Sequence, residues 1–241
     1  MAQPQDFTGE NNLGLYTVDT VQRYIYGTRH ISWDGRVFKY GNAVAICVSY
    51  HGACAAEDAA LAYTAAPVAG SIGDRHITAT LSSRAEDDLA GGYAILYHST
   101  IDNTTQYGIV GNDATSGSTT RIYLDARLPY AGTTSFAHEI YENPYRELSE
   151  VTNAQAAWMG VPMRTVAATN KMWNQTFGPC LITPTNSTFD DPAANERMAK
   201  WDANAGLSEM GTANINQIAG FILNQGSSNI AGPLIMLWCS V

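Results

Sequence analysis

Gly27-Thr28-Arg29-His30-Ile31-Ser32-Trp33-Asp34-Gly35-Arg36-Val37-Phe38-Lys39-Tyr40-Gly41 is the stretch on which the fold reading turns. Asp-Gly between two alternating runs is the strongest short-range hairpin signal, because a two-residue type I′ turn needs positive φ at both central positions. With Asp34-Gly35 as the loop, the expected pairs are Trp33 with Arg36, Ile31 with Phe38 and Arg29 with Tyr40. A strand alternates faces at every residue, so these six side chains share one face. That face offers two cation–π contacts and one aromatic–aliphatic contact. Ser32, Val37, His30 and Lys39 take the opposite, mostly polar face. The pattern leaves open whether the aromatic face packs inward or outward on a neighbour.

Outward from the hairpin, the pattern stays β-like. Ala43–Val48 reads as a buried strand, and Ala53–Ala66, rich in good helix formers, reads as one short Ala-rich helix ended by Pro67 and Gly70. Short strands are expected at His76–Leu81, Tyr93–Tyr97, Gln106–Val110, Arg121–Leu124 and Ala137–Tyr141. Gly and Asn/Asp clusters separate them at regular intervals, which is the signature of a sandwich or barrel. Further strands are expected at Met163–Ala168, Met172–Phe177, Cys180–Thr183, Ile215–Leu223 and Leu234–Cys239. The expected class is mainly β, with two small β-barrel or sandwich modules. The expected division is an extended N-terminal arm over 1–26, a first module over 27–145, and a second over 146–241 carrying a long loop at 184–210. A loop of that length is either functional or held by a partner.

Composition narrows the function. The 241 residues carry 22 Asp and Glu against 13 Lys and Arg, a formal net charge of −9. Wholesale binding to nucleic-acid phosphate needs clustered Lys and Arg and is therefore disfavoured. The longest apolar runs, Ala43–Val48 and Pro233–Cys239, fall far short of the roughly 20 residues that span a bilayer. Met1–Asp6 lacks the basic-then-apolar order of a secretion signal. Cys47, Cys54, Cys180 and Cys239 show no Cys-x-x-Cys spacing and read as buried free thiols of a reducing compartment.

Candidate chemistry is sparse. His51 with Cys47 and Cys54 lacks the four-ligand spacing of a zinc site. Glu86-Asp87-Asp88 reads as a solvated turn, and Asp190, Asp191 and Glu196 lack the alternating oxygen ligands of a calcium loop. His98, Ser99 and Asp102 lie near one another, but the chain contains no Gly-x-Ser-x-Gly elbow and no glycine-rich phosphate loop. The expectation is a protein that is not an enzyme and uses no cofactor and no metal. Its 13 Tyr and 5 Trp fit protein–protein interfaces, where a side chain needs one apolar and one wet end.

Three phrases together carry a family likeness. They are Tyr26-Gly27-Thr28 leading into Asp34–Tyr40, then Ala90-Gly91-Gly92-Tyr93 leading to Tyr107-Gly108-Ile109 and Asn143-Pro144-Tyr145, and finally Trp173–Cys180. In that order and spacing the chain resembles tailed-bacteriophage virion proteins encoded beside the major capsid protein, read as capsid decoration (cement) proteins. The resemblance covers most of residues 24–182 and fades over the last 60. It implies a structural protein on the capsid surface of the virion, assembled in the host cytoplasm. The implied partners are the major capsid protein and further copies of itself in a homotrimer, with neither nucleic acid nor membrane. Aromatic and Arg anchors are what such interfaces bury. The contacts are therefore expected on the arm (Phe7, Leu15, Tyr16, Tyr24) and the hairpin (Arg29, Trp33, Arg36), and removal of residues 1–24 is expected to leave the modules folded. The alternatives are a carbohydrate-binding module or host-surface adhesion protein, and a head–tail connector or tail component.

Overall fold

The computed structural model describes residues 7–8, 14–55, 62–64, 68–98, 100–150, 157–184, 197–202, 205–209, 217–224 and 232–239. The chain is mainly β. It opens with β1 (Phe7–Thr8), β2 (Arg29–Ile31), β3 (Val37–Asn42) and β4 (Ala53–Ala55). Then come β5 (Ala62–Thr64), β6 (His76–Thr80), β7 (Tyr93–His98), β8 (Thr105–Asn112), β9 (Thr119–Leu124) and β10 (Ser135–Tyr141). The last stretch holds β11 (Leu148–Ser149), β12 (Trp158–Pro162), β13 (Lys171–Leu181), β14 (Met198–Trp201), β15 (Leu207–Glu209), β16 (Ile218–Asn224) and β17 (Leu234–Trp238).

Two compact units result. Residues 58–143 form an inserted unit, while residues 5–57 and 144–241 together form the parent unit. The division expected from sequence placed 27–57 with 58–145. The structure groups 27–57 with the C-terminal residues instead, because β3 pairs along β13 from Lys171–Asn42 to Phe177–Val37. Pairing between strands so distant in sequence leaves no local composition signal.

The inserted unit is a curled six-stranded antiparallel sheet in the order β5-β10-β7-β8-β9-β6. Alternation in β6 to β10 points Ile77, Ala79, Ala94, Leu96, Tyr107, Ile109, Ile122, Leu124 and Ile140 into one core with Leu89 and Leu128. The turn before β7 is clamped by Asn112, whose Oδ1 accepts from Leu89 N at 2.7 Å and whose Nδ2 donates to Ala85 O at 2.8 Å. Arg84 forms an ion pair with Glu142 across the same region.

The parent unit is an eleven-stranded sheet whose main path runs β1-β2-β3-β13-β17-β16-β14-β15, with β12 joining β13 to β4 and β4 joining β11. Strand β13 is its spine, pairing β3 along one edge and β12 then β17 along the other. Trp158 and Trp201 stack at 5.3 Å in the core, and Gly52 is needed beside them because a Cβ there would meet both indoles at under 3.0 Å. A second aromatic group joins Tyr24, Tyr40 and Trp173 with centroids 5.2–5.4 Å apart.

Several expectations are corrected. The Ala-rich stretch is β-strand at Ala53–Ala55 and Ala62–Thr64, and its remaining residues 56–61, 65 and 66 lie outside those described. Ala43–Val48 is an irregular surface segment in which Val44 and Ile46 are exposed and only Ala43 and Cys47 are anchored by isolated bridges. Cys47 and Val166 exchange backbone hydrogen bonds at 2.8–2.9 Å, so Met163–Ala168 is likewise no continuous strand. Met172–Phe177 and Cys180–Thr183 merge into the single β13 up to Leu181. The expected loop 184–210 contains β14 and β15.

The hairpin is present with a different register. Arg29 faces Lys39, His30 faces Phe38 and Ile31 faces Val37. Ser32 N donates to Arg36 O, and Gly35 N to Ser32 O, both at 2.9 Å. Gly35 has φ +81° whereas Asp34 keeps a negative φ. The loop is therefore Trp33-Asp34-Gly35, a type I turn closed by a glycine in the left-handed region, rather than a type I′ turn on Asp34-Gly35. A one-residue slip exchanges faces along the paired strand. Thr28, His30, Phe38 and Tyr40 consequently face the core, with Arg29, Ile31, Val37 and Lys39 on the other side.

Candidate functional site

The residues singled out from sequence as contacts part company in the structure. Leu15 is buried in the core with Phe38, Tyr40 and Trp173, and half-buried Tyr24 packs edge-on against Tyr40. Both hold the segment 14–26 to its own sheet. That segment is further fixed by Asp19, which exchanges backbone hydrogen bonds with Lys171 at 2.8–2.9 Å, so over residues 14–26 the expected extended arm is a strap bound to its own sheet. Phe7 pairs through its backbone with His30, β1 running parallel to β2. The side chain of Phe7 lies outside the described residues.

Of the remaining four, Trp33 and Arg36 form the hairpin tip, Tyr16 bonds Arg36 there, and Arg29 sits at the far end of the ladder opposite Lys39. Trp33 is 78% exposed. Arg36 Nε donates to Asp34 Oδ2 at 2.7 Å, and its guanidinium lies 5.4 Å from the Phe38 ring centroid. Burial pulls the Arg36 pKa down, but hydrogen bonds to Tyr16 and Asp34 outweigh it and leave the guanidinium above its ordinary value. Burial alone would raise the Asp34 carboxyl, yet bonds from Ser32 and Arg36 hold it below the usual range. Tyr16 is exposed and Arg29 half-buried. The tip thus presents one large aromatic ring on a rigid polar frame.

A second surface was not found from sequence. In β13 and β17, Phe177 faces Trp238, Pro179 faces Met236, and Leu181 faces Leu234. The middle row continues, with Met236 facing Phe221 of β16, and Phe221 facing Met198 of β14. Directly paired residues share a face, so eight apolar side chains form one outward patch. Trp238 is 48% exposed, Leu181 and Leu234 are exposed, and the Phe221 ring meets Trp238 edge-on at 5.5 Å. Their alternates Cys180, Ile222, Ile235 and Leu237 fill the core. None of the eight is ionisable, and Lys200, two residues along β14 from Met198 on the same face, borders them. The signal was readable in retrospect. An antiparallel strand with one solvated face alternates apolar and polar, whereas Leu234-Ile235-Met236-Leu237-Trp238 is apolar on both.

The sparse chemical candidates find ordinary places. His51 Nδ1 pairs with Glu150 Oε1 at 2.8 Å rather than with a thiol. Asp88 Oδ2 accepts from Ala85 N at 2.9 Å within a turn. Ser99, Asp190, Asp191 and Glu196 lie outside the described residues. Among the described residues, no group of three or more His, Cys, Asp or Glu is gathered as a metal site would require. The four cysteines are free thiols, with Cys47, Cys54 and Cys180 buried. Burial raises Cys47 and Cys239 to about 12, which keeps both protonated at neutral pH. Comparison with protein-family models, with curated proteins and with solved structures returned no match.

Proposed function

We propose that the chain is a structural virion protein of a tailed bacteriophage, one that decorates the outer face of the capsid and stabilises it by bridging capsomers. The observation that carries this reading is the apolar patch of Phe177, Pro179, Leu181, Met198, Phe221, Leu234, Met236 and Trp238. Apolar faces of this kind mark interaction sites. Its occupant, on this reading, is a second copy of the chain in a homotrimer. A copy with net charge −9 repels its twin over most of its surface, and a patch whose eight residues include no carboxylate is where that repulsion is least. The hairpin tip, with exposed Trp33, is then left for the major capsid protein. Contacts that exist only in the assembled shell stabilise it by linkage, as any ligand of the native state does.

Sedimentation equilibrium together with co-sedimentation on emptied shells of the encoding phage tests the proposal. Wild-type protein should run as a trimer and pellet with shells. Phe177→Asp with Trp238→Asp should give a folded monomer with weakened pelleting. A wild-type monomer that ignores shells overturns the reading, and a closed ring of about twelve copies favours the connector alternative.

A further inference from the structure

The outer face of the inserted unit's sheet has no part in the capsid reading. Across β10 and β7, Glu139 faces Ile95 and Tyr141 faces Tyr93, and in β8 Gln106 faces Ile95. Directly paired residues share a face and alternate residues return to it, so Tyr97 belongs there too. Their alternates Ala94, Leu96, Tyr107 and Ile140 fill the core. The outer six meet solvent, with Tyr93 43% exposed, Gln106 exposed and the other four half-buried.

Glu139 stands among the tyrosines of this face. The Tyr97 and Tyr141 hydroxyls both donate to its Oε2 at 2.7 Å. An ionised carboxylate has about four lone-pair sites. None of the described residues donates to Oε1, and that oxygen is not enclosed. Along β7, β8 and β10 the face carries no Lys, Arg or His to neutralise it. The surrounding field has the same sign, because residues 58–143 hold four Arg and no Lys against ten Asp and Glu, a formal −6 of the chain's −9. A carboxylate with one oxygen unclaimed, beside exposed phenol rings, calls for a cation that can also stack. A guanidinium does both, since it is planar, forks onto carboxylate oxygen and lies flat on an aromatic face. An ammonium supplies the charge without the planar stacking surface. Phosphate is repelled, and another copy of the chain brings the same negative charge to a face that favours the opposite sign.

We infer that this face docks an arginine-bearing segment of a protein partner, the guanidinium bonding Glu139 Oε1 and stacking on the Tyr93 ring. The contact uses neither the apolar patch nor the hairpin tip, and it does not depend on the capsid reading. Amide NMR titration of the full chain at low ionic strength tests it, with acetylated and amidated tetra-arginine, tetra-lysine and tetra-citrulline as probes. Tetra-arginine should shift the resonances of Tyr93, Ile95, Tyr97, Glu139 and Tyr141 and bind more tightly than tetra-lysine. Tetra-citrulline, which keeps the shape and loses the charge, should shift none of them. Glu139→Gln keeps an acceptor for both phenols and should weaken tetra-arginine about 5-fold, and Tyr93→Leu about 3-fold. Glu86→Gln removes the same charge from an exposed turn of the same unit and should weaken it by less than about 1.5-fold. The proposal is overturned if tetra-lysine or tetra-citrulline binds as well as tetra-arginine, if the shifts fall on other residues, or if Glu86→Gln weakens binding as much as Glu139→Gln. A face already covered by a second copy and unmoved by the peptide overturns it as well.

Discussion

The Tyr40 hydroxyl donates to Asp19 Oδ2 at 3.0 Å, joining the middle of β3 to a residue 21 positions earlier. Asp19 also receives Arg23 Nε at 2.8 Å, and Arg23 N donates to the Tyr40 oxygen at 3.3 Å. A buried carboxylate with two charge-assisted or phenolic donors is a fastening rather than a surface ion pair. Asp19→Ala should therefore cost about 2 kcal/mol, within the range for hydrogen bonds to charged groups, read as a lowered urea midpoint at constant m-value.

The same fastening changes what an N-terminal truncation does. Removing residues 1–24 takes away Leu15, Asp19 and Tyr24, and with them the cover over Tyr40 and Trp173. The parent unit should lose several kcal/mol and expose those aromatics, seen as a red-shifted tryptophan emission, whereas removal of residues 1–13 should leave the emission unchanged. Identical melting of the two truncations would show that residues 14–24 do not hold the sheet.

His30 gives the fold a pH dependence. It is buried opposite Phe38, and burial lowers its pKa below 6.5. The unfolded chain binds the proton more readily, so stability rises with pH between the folded value and about 6.5. The contribution is complete above 6.5 and is lost as pH falls through the folded pKa. Urea midpoints should drop between pH 7.5 and pH 5.5 in wild type, and less in His30→Gln. An equal drop in both would assign the dependence to other groups.

How far these features were legible in the sequence follows from what alternation encodes. Strands β6 to β10 were readable because each alternates between a filled core and a wetter face. The hairpin was readable, but its register was not. A glycine at positive φ closes a two-residue turn and a three-residue turn equally well, and only the Ser32–Arg36 closure distinguishes them. Gly178-Pro179 looked like a break between two strands. The missing proline N–H is tolerated here, and Pro179 O accepts from Gln175 Nε2 at 2.8 Å. The outward patch was hidden for a different reason. Pattern tells which residues share a face, and says nothing of whether another layer covers that face.

Thiol chemistry should report unfolding alone. Burial raises Cys180 well above the ordinary thiol range, as it does Cys47 and Cys239, and Cys54 Sγ sits 3.1 Å from Ser149 O in the core. Reactivity requires the thiolate. At pH 8 an aromatic disulfide reagent should label none of the four cysteines in native protein and all four in urea. Prompt labelling of one thiol in the native state would place that residue outside the packed core.

The hairpin tip separates folding from binding. Trp33 is exposed, so Trp33→Ala should change stability by no more than about 0.5 kcal/mol, the usual size for a surface substitution. Arg36 is different. It neutralises Asp34, bonds Tyr16 and lies over Phe38. Arg36→Ala should destabilise by about 1–2 kcal/mol, since it removes a charge-assisted bond and a cation–π contact together. It should also let Asp34 titrate nearer its ordinary range. A carboxyl held low stabilises the fold above its unfolded pKa, and that contribution disappears as pH falls through the folded value. If the tip meets the capsid, Trp33→Ala should abolish co-sedimentation with shells while its urea midpoint stays at the wild-type value. Full binding by Trp33→Ala would remove the tip from the contact surface and leave its exposure without a role.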